Sequence, residues 1–358
     1  MIISMKRVFF LALVAAIASG CASWSPLGVQ GEPTVDRFGE DAPFIRPMSA
    51  GDYPIWGVRN GMVMGIAPAR VGLGRDDVGG PRGLLRMGFE EDGELYFINF
   101  LAIAPVTTDG ELGQSELDRS PSDNAPGIRI FAYPTEFHRD YDHWRDREPP
   151  PWMEVARLGR DANGDRVMSL AVRCEEFPNG ARPYFLVHFY PDRPHEALFV
   201  FYDEPGGKAM RYNVLSSTFG NLTRQRDVYL RGKVLNARTI WPHYRALGFA
   251  PIRFFPLDLL RKNGNGDVVF AARPDEEKPW EAGGYPHRRV LTQYFRKPLG
   301  AYDDSLRGLV NGRYVYWKSS VEVHGGISFE NVGLAQNYRR GEVLIYGYHA
   351  GDPEKLFR

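Results

Sequence analysis

The chain has 358 residues, 44 basic and 44 acidic side chains, 13% aromatic residues and two cysteines. Balanced charge gives no electrostatic reason to expect a nucleic-acid partner, and Cys21 and Cys174 alone cannot build a disulfide framework. The length suffices for one large domain or two smaller ones with a substantial core, so the fold requires neither metal nor crosslink, and no cofactor is expected.

Residues 1–20 have the plan of a secretory signal: Lys6 and Arg7 precede the apolar run Val8 to Ile17, and Ala18, Ser19 and Gly20 lead into Cys21. The run falls short of the roughly 20 apolar residues that a membrane span needs. The end of this segment resembles the lipobox at which bacterial lipoproteins are cut and diacylated on cysteine, with Ala18 where that family usually has Leu. An ordinary signal peptide followed by an unmodified cysteine is the alternative. Ala22 and Ser23 follow Cys21, with no aspartate, so the resemblance implies a lipid anchor at the outer membrane. Cleavage there removes two basic residues and no acidic one, leaving a net charge of about −2. Lipid on Cys21 would leave Cys174 with nothing to pair with.

Residues 21–55 are rich in Pro, Gly and Ser and read as a tether and lead-in. Residues 56–358 read as β almost throughout. Leu95 to Ala104, Val167 to Arg173, Tyr184 to Tyr190, Ala197 to Tyr202, Met210 to Leu215, Val268 to Ala272, Val290 to Arg296, Arg313 to Lys318 and Glu342 to His349 are short, aromatic or β-branched, and bounded by turn formers. Asn-Gly pairs at Asn60, Asn163, Asn179, Asn263, Asn265 and Asn311 mark candidate hairpin turns. Helix is expected only in short pieces, at Tyr141 to Arg147 and Pro256 to Lys262. The expected fold is all-β: an antiparallel β-sandwich or jelly roll, single or duplicated, with few short helices. No fixed-period repeat points to a propeller. A division near residues 205–225 competes with one compact domain, which is preferred.

Familiar chemical signatures are scarce. Asp161-Ala-Asn163-Gly-Asp165 and Asn263-Gly-Asn265-Gly-Asp267 begin like calcium loops but lack their remaining ligands, so hairpin turns explain them better. Gly72, Gly74, Gly79 and Gly80 miss the nucleotide-loop spacings, and no Gly-x-Ser-x-Gly elbow occurs. His138 and His143 are five apart, and the other histidines are dispersed, so no metal site is proposed.

Alternation along strands is more informative. Tyr184, Leu186, His188 and Tyr190 share one face, opposite the apolar Phe185, Val187 and Phe189; Thr292, Tyr294 and Arg296 share another. Either face lines a groove or is simply a solvated exterior. With 18 Tyr, 22 Phe and 7 Trp, aromatics exceed what a core of this size plainly needs, and sugar sites use such rings as platforms. Trp280, Trp317, Trp241 and Trp144 are candidates for that role. Asn221, Arg224 and Arg226 lie in a polar stretch suited to an acidic ligand. The carboxylates Asp275, Glu276 and Glu277, one of them paired with Glu330, are the candidates for a glycosidase.

Thr218-Phe-Gly-Asn-Leu-Thr-Arg224, Thr292-Gln-Tyr-Phe-Arg296 and Gly325-Gly-Ile-Ser-Phe-Glu-Asn331, together with the lipobox, resemble exported proteins encoded among bacterial polysaccharide-degradation genes. Their activities include an oligosaccharide dehydratase acting on uronic acids of the algal polysaccharide ulvan. The resemblance covers most of the mature chain and assigns no catalytic role to any residue. It implies elimination from a uronate ring. That chemistry needs a cation to neutralise the carboxylate, a base for the C5 proton and an acid for the departing oxygen. Arg224, Arg226 or Arg296 could neutralise; Tyr294 and His188 are the acid–base candidates, Tyr294 as base needing a pKa lowered by a neighbouring arginine. Asn221, Arg224, Arg226, Trp280 and Trp317 are the expected substrate-binding residues, and an oligo- or polysaccharide the expected partner besides the membrane. A glycoside hydrolase and a glycan-binding lipoprotein without turnover are the competing readings.

Overall fold

The computed structural model describes residues 43–66, 84–113, 130–138, 147–218, 224–282, 285, 287–316 and 320–358. Cys21, His143, Trp144, Asn221 and Trp317 lie outside them, as do the glycines at 72, 74, 79 and 80 and most of the expected helix at 141–147.

Twenty strands follow one another among the described residues. The first ten are β1 (Phe44–Ile45), β2 (Ile55–Val58), β3 (Met62–Gly65), β4 (Leu84–Glu91), β5 (Glu94–Thr107), β6 (Ile130–Tyr133), β7 (Arg157–Arg160), β8 (Arg166–Cys174), β9 (Pro183–Phe189) and β10 (Glu196–Asp203). The rest are β11 (Met210–Thr218), β12 (Gln225–Leu230), β13 (Lys233–Asn236), β14 (Phe249–Pro256), β15 (Arg261–Lys262), β16 (Val268–Pro274), β17 (Leu291–Lys297), β18 (Arg307–Arg313), β19 (Ser328–Ala335) and β20 (Glu342–Ala350). The single α-helix described is α1 (Ala237–Ile240), one turn capped by the Asn236 side chain; Leu257–Leu259 forms a 3-10 turn where two helical turns were expected.

All strands pair antiparallel in two sheets. The first has the order β1-β2-β3-β4-β5-β11-β19-β18-β14; the second has β13-β12-β16-β17-β20-β10-β9-β8-β6, with β15 beside β16 and β7 beside β8. One apolar cluster joins them: Trp56, Met64, Leu85 and Ile103 of the first sheet pack with Phe185, Phe199, Phe270 and Phe295 of the second. The protein is therefore an all-β sandwich. Both sheets take strands from each side of residues 205–225, and the chain passes from the second sheet at β10 to the first at β11 and back to the second at β12, so a cut there would divide both.

Turn chemistry follows the sequence closely, with one exception. Asn163-Gly164 and Asn265-Gly266 close the β7–β8 and β15–β16 hairpins, with φ of +87° and +83° at the glycines. In each loop the first side chain, Asp161 or Asn263, accepts backbone N–H groups two and four residues on, the hydrogen-bonding of a turn. Asn311-Gly312 is the exception: it lies inside β18 at a bulge. A Cβ on Gly312 would sit 2.8 Å from the Trp241 ring, which is buried edge-on to Phe329 and donates Nε1–H to the Pro251 carbonyl at 3.2 Å. Trp241 is thus core rather than a sugar platform. The strand expected over Arg313 to Lys318 instead begins at Arg307 and ends at Arg313.

Because Trp241 has rigid neighbours, Gly312→Ala overpacks this corner. The variant is expected to lose about 1–3 kcal/mol in urea unfolding with an unchanged m-value; an unaltered midpoint would show that Trp241 can shift freely.

Candidate functional site

The outer face of the second sheet holds the predicted catalytic residues, and it is buried rather than a solvated groove. Tyr184, Leu186, Tyr190, Leu198, Val200, Tyr202, Val343 and Ile345 form a second apolar cluster there. Within it every predicted polar side chain has local work. Tyr294 lies across Gly347, where a Cβ would fall 2.4 Å from its ring, and its hydroxyl donates to Glu196 Oε1 at 2.8 Å. Arg296 bonds Glu196 at 2.5 Å and Asp267 at 2.8 Å. His188 Nδ1 is 2.7 Å from Ser169 Oγ, on the adjacent residue of β8.

This arrangement corrects the expected acid–base pair. Between Tyr294 on β17 and His188 on β9 lie β20 and β10, three strand spacings or about 14 Å. Burial and Glu196 push the Tyr294 phenol well above its ordinary value; Arg296 opposes this, but two carboxylates already neutralise it. Tyr294 therefore lacks the lowered pKa that a base requires, and Arg296 is committed. Burial drives His188 down to about 4, so its imidazole is neutral near pH 7.

The predicted substrate cations are likewise engaged. Arg224 and Arg226 have no exposed surface. Arg226 bonds Asp275 at 3.1 Å, Glu276, and the carbonyls of His324, Gly326 and Ile327; Arg224 bonds Glu276 at 3.4 Å and the Pro279 carbonyl. They fasten β12 to the segments 275–282 and 324–327. Trp280 sits half-buried in the short 3-10 turn Pro279–Ala282. Of the glycosidase candidates, Glu277 is exposed, and Glu330 is buried on the other sheet, 3.0 Å from Arg313.

Two of the three segments that carry the resemblance meet directly, and Asn99 links their neighbourhood to the third. Thr218 and Asn331 are direct partners across β11 and β19. Between the sheets, Asn99 Nδ2 donates to Gln293 Oε1 at 2.7 Å, to Tyr346 Oη at 2.8 Å and to Ser217. This network pins β5 and β11 to β17 and β20.

One chain of His, Tyr and Arg went unrecognised in the sequence. Tyr184 Oη lies 3.1 Å from His138 Nδ1 and accepts from Arg340 Nη2 at 3.1 Å. Tyr184 stacks on Tyr202 with centroids 5.2 Å apart, His138 covers Tyr202 at 4.2 Å, and the Arg340 guanidinium lies 5.2 Å from the Tyr202 centroid. Asp203 orients Arg340, accepting from it at 2.9 Å and from the Tyr338 hydroxyl at 2.8 Å. Strand register creates this meeting: Tyr184 and Tyr202 are partners on β9 and β10, and Gly341 N–H bonds the Phe201 carbonyl, setting Arg340 beside them. Burial, opposed by Arg340, raises the Tyr184 phenol to about 12, while the Arg340 side chain keeps 51% of its exposure. The sequence signal was Tyr184 itself, read on the strand face it shares with His188; its hydroxyl instead neighbours His138.

Among the described residues no three His, Cys, Asp or Glu side chains come close enough to hold a metal ion, and Cys174 is buried and unpaired. Neither protein-family models nor curated proteins match the chain.

The buried neutral His188 makes stability pH-dependent. Its pKa in the fold, about 4, lies below the ordinary 6.5. The unfolded chain therefore takes up the proton first as pH falls, and the fold should lose on the order of 3 kcal/mol between about pH 6.5 and 4 from this group. Replacing it, His188→Asn, should flatten that part of a stability–pH curve; an identical slope in the variant would assign the effect elsewhere.

Proposed function

We propose that this protein acts on uronic-acid-containing oligo- or polysaccharide by elimination, on the outer face of the second sheet. The observation that carries the reading is the Tyr184 hydroxyl held between His138 and Arg340, each at 3.1 Å. Elimination requires a base, an acid and a cation for the carboxylate, and this chain places one residue of each type in direct contact. Arg340, half exposed over the stacked tyrosines, is the group to neutralise the uronate carboxylate and so acidify the adjacent C5–H. His138 takes that proton. The C–H electron pair becomes the C4=C5 double bond, the C4–O bond breaks, and Tyr184 protonates the departing oxygen. A phenol raised to about 12 stays protonated at neutral pH, which suits an acid rather than a base. Arg340 then stabilises the phenolate, and proton return from His138 restores the resting site. If the departing oxygen carries only hydrogen the reaction is a dehydration; if it carries the next sugar, the chain is cut.

The same proposal places the protein in the cell envelope, anchored at the outer membrane by lipid on Cys21. Support comes from the lipobox-like Ala18-Ser-Gly-Cys21.

Incubation with uronate-containing oligosaccharides, followed by ultraviolet absorbance and product mass, tests the chemistry. A conjugated unsaturated uronate is expected. Tyr184→Phe, which keeps the stacked ring, should lower kcat about 10²–10⁴-fold, and Arg340→Gln should lower kcat as well as raise KM. Reducing sugar without new absorbance would establish a hydrolase instead, and a Tyr184→Phe enzyme with full activity would remove Tyr184 from the mechanism. For the anchor, Cys21→Ser should move the protein from the membrane fraction to the soluble one.

A further inference from the structure

The outer face of the first sheet carries arginines that no carboxylate claims. Arg307 opens β18, and its guanidinium lies 4.8 Å from the Tyr212 ring centroid and 4.5 Å from that of Phe254. Arg211, the extra residue of a bulge in β11, stands 5.1 Å from the same Tyr212 ring. Strand order brings these groups together. Phe254 and Pro256 of β14 are the partners of Leu309 and Arg307 on β18, and Ala335 of β19 is the partner of Arg307 on its other side. Cross-strand partners share a face, and Leu309 and Ala335 belong with Val214 and Tyr212 to an apolar cluster separate from the one between the sheets. The short Ala335 side chain leaves Arg307 room to reach across β19 to Tyr212 on β11.

Among the described residues neither Arg307 nor Arg211 makes a side-chain hydrogen bond or an ion pair. Aromatic faces hold a guanidinium in place but do not neutralise it. Beside them, Pro256 forms part of the wall of a groove of about 1070 Å³ between the β12–β13 hairpin and residues 256–262. Arg231, Lys233 and Lys262 line it without an ion pair among the described residues, as do the carboxylates of Asp258 and Asp304, while Arg261 is neutralised by Glu354 at 2.7 Å. Face and groove therefore hold five unpaired cations against two unpaired carboxylates, in a chain whose 44 basic and 44 acidic residues balance. This excess faces solvent: Arg211, Arg231, Lys233 and Lys262 are exposed, and Phe254 keeps 49% of its surface open.

We propose that this face and groove bind a polyuronate chain, away from the Tyr184 site. Charge density selects the ligand. A polyuronate carries one carboxylate per ring for the arginines and lysines, with hydroxyls between that donate to Asp258 and Asp304; a denser polyanion such as DNA would set phosphates against those two carboxylates. Sugar C–H faces pack on the open Phe254 ring, and the Arg307 fork, held between rings, meets a carboxylate in plane. The choice of a uronate glycan rests on the elimination reading, whereas the excess of cations does not. Both sheets lie between this face and the cluster that contains Tyr184.

Electrophoresis of the purified protein through native gels containing polygalacturonate tests the site, with dextran and DNA in parallel gels and mobility measured against a polymer-free gel. Polygalacturonate should retard the protein and dextran should not. Arg307→Gln and Phe254→Ala should each raise the apparent dissociation constant about tenfold. Lys233→Gln, at an exposed hairpin position, should also weaken retardation without moving the melting temperature, which separates binding from folding. No retardation by polygalacturonate, equal retardation by dextran or by DNA at matched charge, or wild-type retardation in any of the three variants would overturn the site. Turnover of short uronate oligosaccharides is read separately: retardation without turnover removes the elimination reading and leaves this site standing, and turnover without retardation does the reverse.

Discussion

The second sheet is buried on both faces, and much else follows from that constraint. Its inner face packs on the first sheet through Phe185, Phe199, Phe270 and Phe295, and its outer face carries the Tyr184–Tyr202–Ile345 cluster. Antiparallel sheets commonly leave one face to water. Here strands such as β9 and β10 are apolar or aromatic at nearly every position, with burial continuous from Pro183 to Phe189. The aromatic excess is thereby explained in large part by packing: Tyr133, Tyr184, Tyr190, Tyr202, Tyr294, Tyr346 and Tyr348 are all buried. Tyrosine suits a face that must be covered yet must also reach hydrogen-bond partners.

A face without water favours polar groups that find partners within the protein. Tyr294, Arg296, Glu196 and Asp267 close on one another, as do His188 and Ser169, and Asn99, Ser217, Gln293 and Tyr346 do the same between the sheets. Such sets contribute modestly to net stability but punish misregister: a one-residue slip of β17 would carry Tyr294 and Arg296 to the opposite face, away from Glu196. They work as register pins in a fold built from twenty mostly short strands.

Alternation and turn chemistry made the fold legible. The expected β11, from Met210, and β20, from Glu342 to His349, start where the strands start, and the hairpins at Asn163 and Asn265 form as read. Both signals are local, set by one residue and its neighbours. The site was less legible because its geometry is not local. Tyr184 meets Arg340 through β10 and β20, 156 residues apart in the chain, and nothing in either segment announces the other. The Asn311-Gly312 pair misled for a related reason: its glycine serves the distant Trp241 ring, not a turn. Arg224 and Arg226 looked like ligand-reading cations because sequence displays charge but conceals the carboxylates and carbonyls that consume it.

Exposure of its charge is what sets Arg340 apart from the other polar candidates. Tyr294, His188, Arg224 and Arg226 have the residue types of a catalytic or binding site, yet each is buried in a polar set made by the fold. Arg340 differs by keeping half its surface open while touching a phenol that touches an imidazole.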